Sequence, residues 1–427
     1  MASTTHDDLI AELSWRGLMV QSSHPENLAA HLNSGPRTLY CGFDPTADSL
    51  HIGSLVPLLT LRRFQQFGHR PILLLGGATG LIGDPSFKDD ERSLNSAEVV
   101  AGWVESLRKQ VLPFLHFEGS NAAIICNNLD WTAKMDVVSF LRDIGKHFSV
   151  NAMIQRDSVR NRLERADQGI SYTEFSYMLL QGMDYLELAR QHDCTLQIGG
   201  QDQWGNIVSG VDLVRRHLSR EVYAVTLPLV TKADGTKFGK TAGGTIWLDA
   251  AKTSPYTFYQ FWLNSADADT DNYLKLFTFL GQEEVAELAQ ATAERPEQRL
   301  AQKRLAELVT ELVHGADAVA SAQRISACLF GGDVRGLQAE DLEQLQQDGL
   351  ESTTVAGDEG LLSAMVQAGV AKSTGEARKL VQGGGVRLDG KVVEDAGCTL
   401  DFADALFGRF HILRRGKKVY HLLIKAA

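Results

Sequence analysis

Two stretches of this 427-residue chain carry residue types and spacings suited to phosphate chemistry. The first runs from Leu39 to Ser54 and contains Thr46 and His51. Its pattern predicts a buried strand over Thr38 to Phe43, then a loop with the turn formers Asp44, Pro45 and Asp48. A helix should open near Gly53 and run through Leu58, Leu59, Arg62, Arg63 and Phe67. A strand feeding a helix start turns unpaired N–H groups and the positive dipole end into one crevice, which suits phosphate. Thr46 and His51 would add donors beside the same oxygens. An ordinary βα unit with a surface histidine has the same spacing. The second stretch is Thr231 to Thr241, where Lys237 and Lys240 sit on a Gly-bearing loop. Such a loop can move over a polyphosphate, or be a plain basic hairpin.

Three further groups of residues could hold a polar ligand. Tyr177, Gln181 and Asp184 fall at i, i+4 and i+7, one face of a helix that follows the Ser171–Glu174 capping-box pattern and runs to about His192. Leu179, Leu180 and Leu186 make that helix otherwise apolar, so the polar stripe needs partners, either a ligand or a hydrogen-bonded core network. Gly76 to Ser86 follows a buried strand over Arg70 to Leu75, and its four glycines let backbone approach a ligand or simply flex. The spacing is not that of a dinucleotide fingerprint. Asp84 at its end could pair with a ligand cation. A short strand over Thr195 to Ile198 ends in Gly199-Gly200-Gln201-Asp202-Gln203-Trp204. An acidic residue just past a strand's carboxyl end sits where open α/β sheets bind ribose hydroxyls.

The elements that must position these residues alternate. Helices are expected over Asp7 to Met19, Ser96 to Gln110, Trp131 to Asp143 and Asn206 to His217, with strands over Ala122 to Asn127 and Val222 to Val230. Lys146 to Arg165 is polar, rich in Arg and Asn, and a candidate partner surface. Strand–helix alternation implies a parallel, doubly wound sheet. Ser254 to Phe330 then reads as helix after helix, and Asp333 to Glu359 as a polar linker with a short helix. Gly360 to Ala427 opens with two helical patterns and ends with strand-like runs at Val386 to Leu388, Leu406 to Leu413 and Val419 to Ile424.

Composition narrows the class. At 44% hydrophobic and 22% charged residues the chain is globular, and its length implies more than one domain. It lacks a run of about 18 apolar residues, and Met1 to Trp15 lacks the basic-then-apolar pattern of a secretory signal. Five scattered cysteines (Cys41, Cys126, Cys194, Cys328, Cys398) lack metal-ligand spacing and fit a reducing cytoplasm. The net charge of −11 is uneven. Gly360 to Ala427 has 11 Lys/Arg against 6 Asp/Glu, a net of +5, leaving 31 against 47, or −16, elsewhere. A basic module on an acidic body suggests one nucleic-acid-facing domain, although a solvated basic surface has the same charge.

Taken together, Tyr40 to Gly53, Gly76 to Ser86, Asp143 to Val150, Gln168 to Gln181, Gln197 to Asn206, Thr231 to Thr241 and Leu406 to Lys418 resemble the bacterial tyrosyl-tRNA synthetases, a class I aminoacyl-tRNA synthetase family. His51-Ile52-Gly53-Ser54 looks like the class I HIGH signature with Ser54 in place of its last histidine, and Lys237-Phe238-Gly239-Lys240-Thr241 like the KMSKS loop. The resemblance implies a Rossmann-like catalytic domain over 1–250, a helical anticodon-recognition domain over 251–332, a linker over 333–359 and a small ribosomal-protein-like RNA-binding domain over 360–427. It implies that tyrosine and ATP give tyrosyl-adenylate and pyrophosphate, and that tyrosine then passes to the 3′ end of tRNA(Tyr). ATP with Mg²⁺ would be a substrate, with no tightly bound cofactor and no protein metal site. Tyr40 and Asp184 would meet the substrate phenol. Tyr177, Gln181 and Asp84 would hold the ammonium, and Gln203 would sit by the carboxyl. Cys41, Gly42, Asp44, Gly53, Ser54, Gly200 and Asp202 would surround the nucleotide. Thr46, His51, Lys88, Arg92, Lys237, Lys240 and Thr241 would face phosphates. The family implies a cytoplasmic homodimer joined through the catalytic domain. A tryptophanyl relative or another adenylate-forming enzyme lacks the phenol-binding pair, and an RNA-binding paralogue without catalysis would not need His51, Lys237 and Lys240.

Overall fold

The computed structural model describes residues 9–86, 94–163, 169–236, 238–241, 244–331, 333–416 and 419–426. The chain forms two compact units, Met1–Leu248 with Asp267–Glu294, and Asp249–Ala266 with Arg295–Ala427.

The first unit is built on six strands, β1 (Gln21–Ser22), β2 (Thr38–Phe43), β3 (Arg70–Leu75), β4 (Ile124–Asn127), β5 (Cys194–Gly200) and β6 (Tyr223–Leu227). Their order is β1-β6-β5-β2-β3-β4. All neighbours run parallel except β1, which pairs antiparallel with β6 and is too short to show in the sequence pattern. Pro71 to Leu75 are all buried, the near-continuous apolar run that a sheet covered on both faces requires. The helices include α1 (Leu55–Gln66), α2 (Ala97–Val111), α3 (Tyr172–His192) and α4 (Trp204–Leu218). Met183, Leu186, Ile207 and Val214 pack with Tyr40, Ile72 and Ala224 in one core. From β2 the chain winds outward to β3 and β4, while β5 and β6 lie on the other side of β2. That reversal makes a crevice at the carboxyl ends of β2 and β5, where doubly wound folds bind ligands. A small ribbon, β7 (Lys240–Thr241) with β8 (Gly244–Thr245), follows.

Three sequence expectations change here. The helix expected at Gly53 starts as a 3₁₀ turn, Ile52–Ser54, because the His51 ring accepts the Gly53 N–H and caps it. The helix expected over Trp131 to Asp143 is broken into Leu129–Thr132, Val137–Ser139 and a π turn over Phe140–Ile144, because Asp136 accepts the Ser139 N–H and restarts the helix. The capping box of α3 is half formed. Ser171 accepts the Glu174 N–H, but the Glu174 carboxylate pairs with Arg162 at 3.0 Å, both side chains being buried.

The helical run comprises α5 (Pro255–Leu263), α6 (Asp267–Phe277), α7 (Gln282–Glu294), α8 (Leu300–His314) and α9 (Ala316–Leu329). Of these, α6 and α7 lie in the first unit. In the second, residues 333–359 contain a short helix, Ala339–Gln344, and are held by their own acids. Asp341 binds Arg324 and Ser321, and Asp348 accepts from the Ser254 N–H. Ser352–Val355 forms β9, which pairs parallel with a later strand. Helices α10 (Leu361–Gln367) and α11 (Thr374–Gln382) follow, then β10 (Val386–Leu388), β11 (Lys391–Val392), β12 (Phe410–Arg415) and β13 (Val419–Lys425). The sheet order is β11-β10-β12-β13-β9. Leu361, Met365 and Val381 pack on Leu413 and Leu423 as a separate small core. Among the described residues no helix is long and apolar enough to cross a membrane.

Candidate active site

A cleft of 340 Å³ opens at the carboxyl ends of β2 and β5. Strand β2 and the loop after it supply Tyr40, Cys41, Gly42, Asp44, Thr46, His51, Gly53 and Ser54. The glycine-rich segment after β3 supplies Asp84, and α3 supplies Tyr177, Gln181 and Asp184. Strand β5 ends at Gly200 and is followed by Asp202 and Gln203 on the same rim. The sequence-named residues whose side chains are described therefore line one cleft. Lys88, Arg92 and Lys237 lie outside the described residues, as do the side chains of Lys240 and Thr241.

One end of the cleft is built from carboxylates. Asp184 is buried, and its two oxygens accept from Asn128 Nδ2 at 3.0 Å and Trp131 Nε1 at 2.9 Å. Burial outweighs those two donors and pushes its carboxyl up to about 7. Tyr40 is buried with its hydroxyl unpartnered, and burial together with Asp184 keeps that phenol firmly neutral. Asp44 accepts from the Tyr177 hydroxyl at 2.7 Å and the Thr79 hydroxyl at 2.6 Å, which fixes the α3 stripe against the loops. Gly76 makes room for this, since a Cβ there would lie 2.0 Å from Asp44 Oδ1. Asp84 accepts from Gln203 Nε2 at 2.6 Å. The side-chain oxygens of Gln181 and Gln197 are buried and also unpartnered. A buried polar atom without a partner costs roughly 1–3 kcal/mol. A ligand with matching hydroxyl and ammonium groups removes that cost at three atoms together.

The other end carries donors. His51 Nδ1 accepts the Gly53 N–H at 3.0 Å, which puts the proton of a neutral ring on Nε2. The signature segment and the lysine-bearing loop are joined through backbone. Ile52 N–H donates to the Ile246 carbonyl, and Ile246 N–H donates to the Gly239 carbonyl. Burial and Asp202 push the Cys41 thiol up to about 12, so it is a neutral group rather than a nucleophile. Asp202 is itself raised by burial. Among the described residues no cluster of three or more His, Cys, Asp or Glu has the arrangement of a metal site.

Four residues of the cleft's polar network escape the sequence reading. Asn128 follows the carboxyl end of β4, the position rule that singles out Asp202, and also accepts the Ala78 N–H. Thr79 accepts from Asn128 and donates to Asp44. Trp131 carries no local signal beyond that of a helix start. Gln197 is a polar residue in an apolar strand, which is the signal that would find it.

Residues 32–331 match the family model of class I tRNA synthetases (W and Y), and residues 341–423 match that of the tyrosine–tRNA ligase SYY-like C-terminal domain. A tyrosine–tRNA ligase of Chromobacterium violaceum is 56% identical over 420 residues, covering 98% of this chain and 99% of that one. One of Erwinia tasmaniensis is 55% identical over 417 residues, covering 97% and 98%. Among solved structures, a C-terminally truncated mitochondrial tyrosyl-tRNA synthetase of Aspergillus nidulans matches with a TM-score of 0.69 at 29% identity, over 75% of this chain and 94% of that one. A tyrosyl-tRNA synthetase of Archaeoglobus fulgidus complexed with L-tyrosine shares the fold at a TM-score of 0.53 and 16% identity, over 73% of this chain and 99% of that one. With full-length relatives above half identity and a family model spanning the cleft, the chain belongs to the class I tRNA synthetases (W and Y) and, within them, to the tyrosine–tRNA ligases.

Proposed function

We propose that this cleft activates L-tyrosine with ATP to tyrosyl-adenylate and pyrophosphate, and then passes the tyrosyl group to the 3′-terminal ribose of tRNA(Tyr). In the first step a tyrosine carboxylate oxygen attacks the α-phosphate and pyrophosphate leaves. In the second the ribose hydroxyl displaces AMP. Tyr40 and Asp184 take the phenol, with Asn128 and Trp131 holding Asp184 in place. Asp84, Tyr177 and Gln181 take the ammonium, and Gln203, paired to Asp84, sits by the carboxyl. Cys41, Gly200 and Asp202 meet the ribose. Thr46, His51 and Thr241 stabilise phosphate charge as it builds by hydrogen bonding, and Lys88, Arg92, Lys237 and Lys240 by opposite charge. Class I synthetases use ATP as a substrate, and Mg²⁺ would enter with it as the substrate complex. The rate then comes from positioning and charge stabilisation without a protein nucleophile.

The observation that carries this reading is the pairing, in one cleft, of an unpartnered buried Tyr40 hydroxyl beside Asp184 with the His51–Gly53 donor end. The test is tyrosine-dependent ATP–pyrophosphate exchange, followed by charging of tRNA(Tyr). Exchange driven equally by phenylalanine or tryptophan would refute the phenol assignment.

The basic region from Gly360 is assigned to RNA binding and the helical region before it to the anticodon. The protein is further assigned as a cytoplasmic homodimer through its first unit. The support for pairing is an apolar surface there, with Val137, Val138 and Tyr172 each at least 70% exposed. Val138→Asp should shift the mass in sedimentation from two chains to one, and an unchanged mass would count against this surface.

A further inference from the structure

The loop bearing Lys237 and Lys240 is gripped by one helix. Ala233 N–H donates to Asp269 Oδ1 at 2.7 Å, and Asp269 is 7% exposed in the first turn of α6. Phe238, between the two lysines, packs on Tyr273 and Phe277 with ring centroids 5.2 Å from each, stacked at 17° on Phe277. Residues 269, 273 and 277 recur every four positions, so one face of α6 holds the loop at two points.

The far end of α6 is gripped as well. Arg16 donates to the carbonyls of Lys275, Thr278 and Leu280, and Arg63 to those of Leu276 and Thr278. Both arginines are buried, and cations at a helix carboxyl end complement its dipole. Arg63 belongs to α1, the helix that opens behind His51. Gly239, at a φ of +77°, rests on the same signature, since a Cβ there would lie 2.6 Å from Ile52 Cγ2. One rigid helix thus links the His51 helix to the lysine-bearing loop.

We infer that α6 is a strut setting the resting position of this loop, and that Asp269 is a positioning residue for tyrosine activation. The inference rests on the loop's proposed role in that step. Without the Ala233 hydrogen bond half the loop is freed, and ordering it again must then accompany the transition state. Asp269 touches no substrate. Its effect passes through Ala233 to the lysines.

The test uses the full chain with Asp269→Ala, Asp269→Asn and Phe238→Ala. Stopped-flow fluorescence reads adenylate formation at saturating tyrosine and ATP, and equilibrium dialysis reads tyrosine affinity without ATP. Timed trypsin cleavage after Lys232 and Lys240 reads loop docking independently of activity. Asp269→Ala, which loses the Ala233 hydrogen bond, and Phe238→Ala, which loses the ring packing on Tyr273 and Phe277, should each slow adenylate formation by roughly tenfold. Tyrosine affinity should stay within about twofold and cleavage should accelerate. Asp269→Asn keeps an oxygen for Ala233 and should stay near the parent in all three. Parental cleavage in the alanine variants would overturn the strut. Faster cleavage with a parental rate would overturn the positioning role and with it the assignment of the loop. A tyrosine affinity falling in step with the rate, or an asparagine variant as slow as the alanine, would also overturn the inference. Absence of tyrosine-dependent exchange in the parent would strike the proposed function instead, leaving the cleavage comparison to judge the strut.

Discussion

Asp184 has traded water for two protein donors, and the trade has a sign. A carboxyl raised to about 7 in the folded chain, against about 3.9 unfolded, keeps its proton over a range where the unfolded chain has lost it. The native state then binds more protons between those values, so the stability contributed by this group is present at low pH and declines as pH rises toward 7. Comparing urea unfolding of the parent and Asp184→Asn from pH 4.5 to 7.5, the parent should lose stability relative to the variant as pH rises. A constant difference would contradict the raised value. Asp184→Ala should lose tyrosine activation by roughly 100-fold, since the buried carboxyl assigned to the phenol disappears. Parental exchange activity in that variant would remove the phenol assignment. Sites built to hydrogen-bond a hydroxyl reject the analogue lacking it by roughly 10⁴–10⁵, a magnitude known from this enzyme family rather than derived from this cleft. The stripe Tyr177, Gln181, Asp184 is legible because helical periodicity is local. Asn128 and Trp131 are not, because they reach Asp184 across 56 and 53 residues of chain, a separation that no spacing rule spans.

The long elements are also legible, and their ends are not. The strand over Thr38 to Phe43 and the helix to His192 lie where apolar period and breakers put them. Two-residue β1 and four-residue β9 are too short to show a period. The broken helix after Trp131 turns on one cap, Asp136, that competes with the apolar pattern around it. At this scale the lysine-bearing loop makes a kinetic prediction. Lysines that meet charge building during phosphoryl transfer act on the transition state rather than on bound tyrosine. Lys237→Ala and Lys240→Ala should each lower the activation rate, roughly 10- to 100-fold, more than they weaken tyrosine binding. Single-turnover kinetics beside a tyrosine titration decide this, and a change confined to affinity would be the contrary result.

Across the whole molecule, charge and chemistry are segregated. The activating cleft lies in the first unit, while the +5 region from Gly360 belongs to the second. A cut after Glu359 looks natural in sequence, but it would leave β9 without β13. A cut after Leu350 removes the five-stranded sheet entire and keeps the Asp341 and Asp348 hydrogen bonds. That truncation should leave pyrophosphate exchange near the parental level and lower tRNA charging. It should also flatten the salt dependence of tRNA binding, by a slope of about 0.7–0.9 for each phosphate that the region neutralises. Equal loss of both activities would mean the region only stabilises the fold. The strand order has a further consequence, for synthesis. The cleft lies between β2 and β5, yet about 150 residues separate Phe43 from Cys194. At ribosomal speeds of roughly 5–20 residues per second, the inner edge of β2 waits on the order of 10–30 s for its partner. During that interval an apolar strand carries open hydrogen-bonding groups, so the nascent chain is most prone to aggregate, and most in need of a chaperone, before its substrate site can exist.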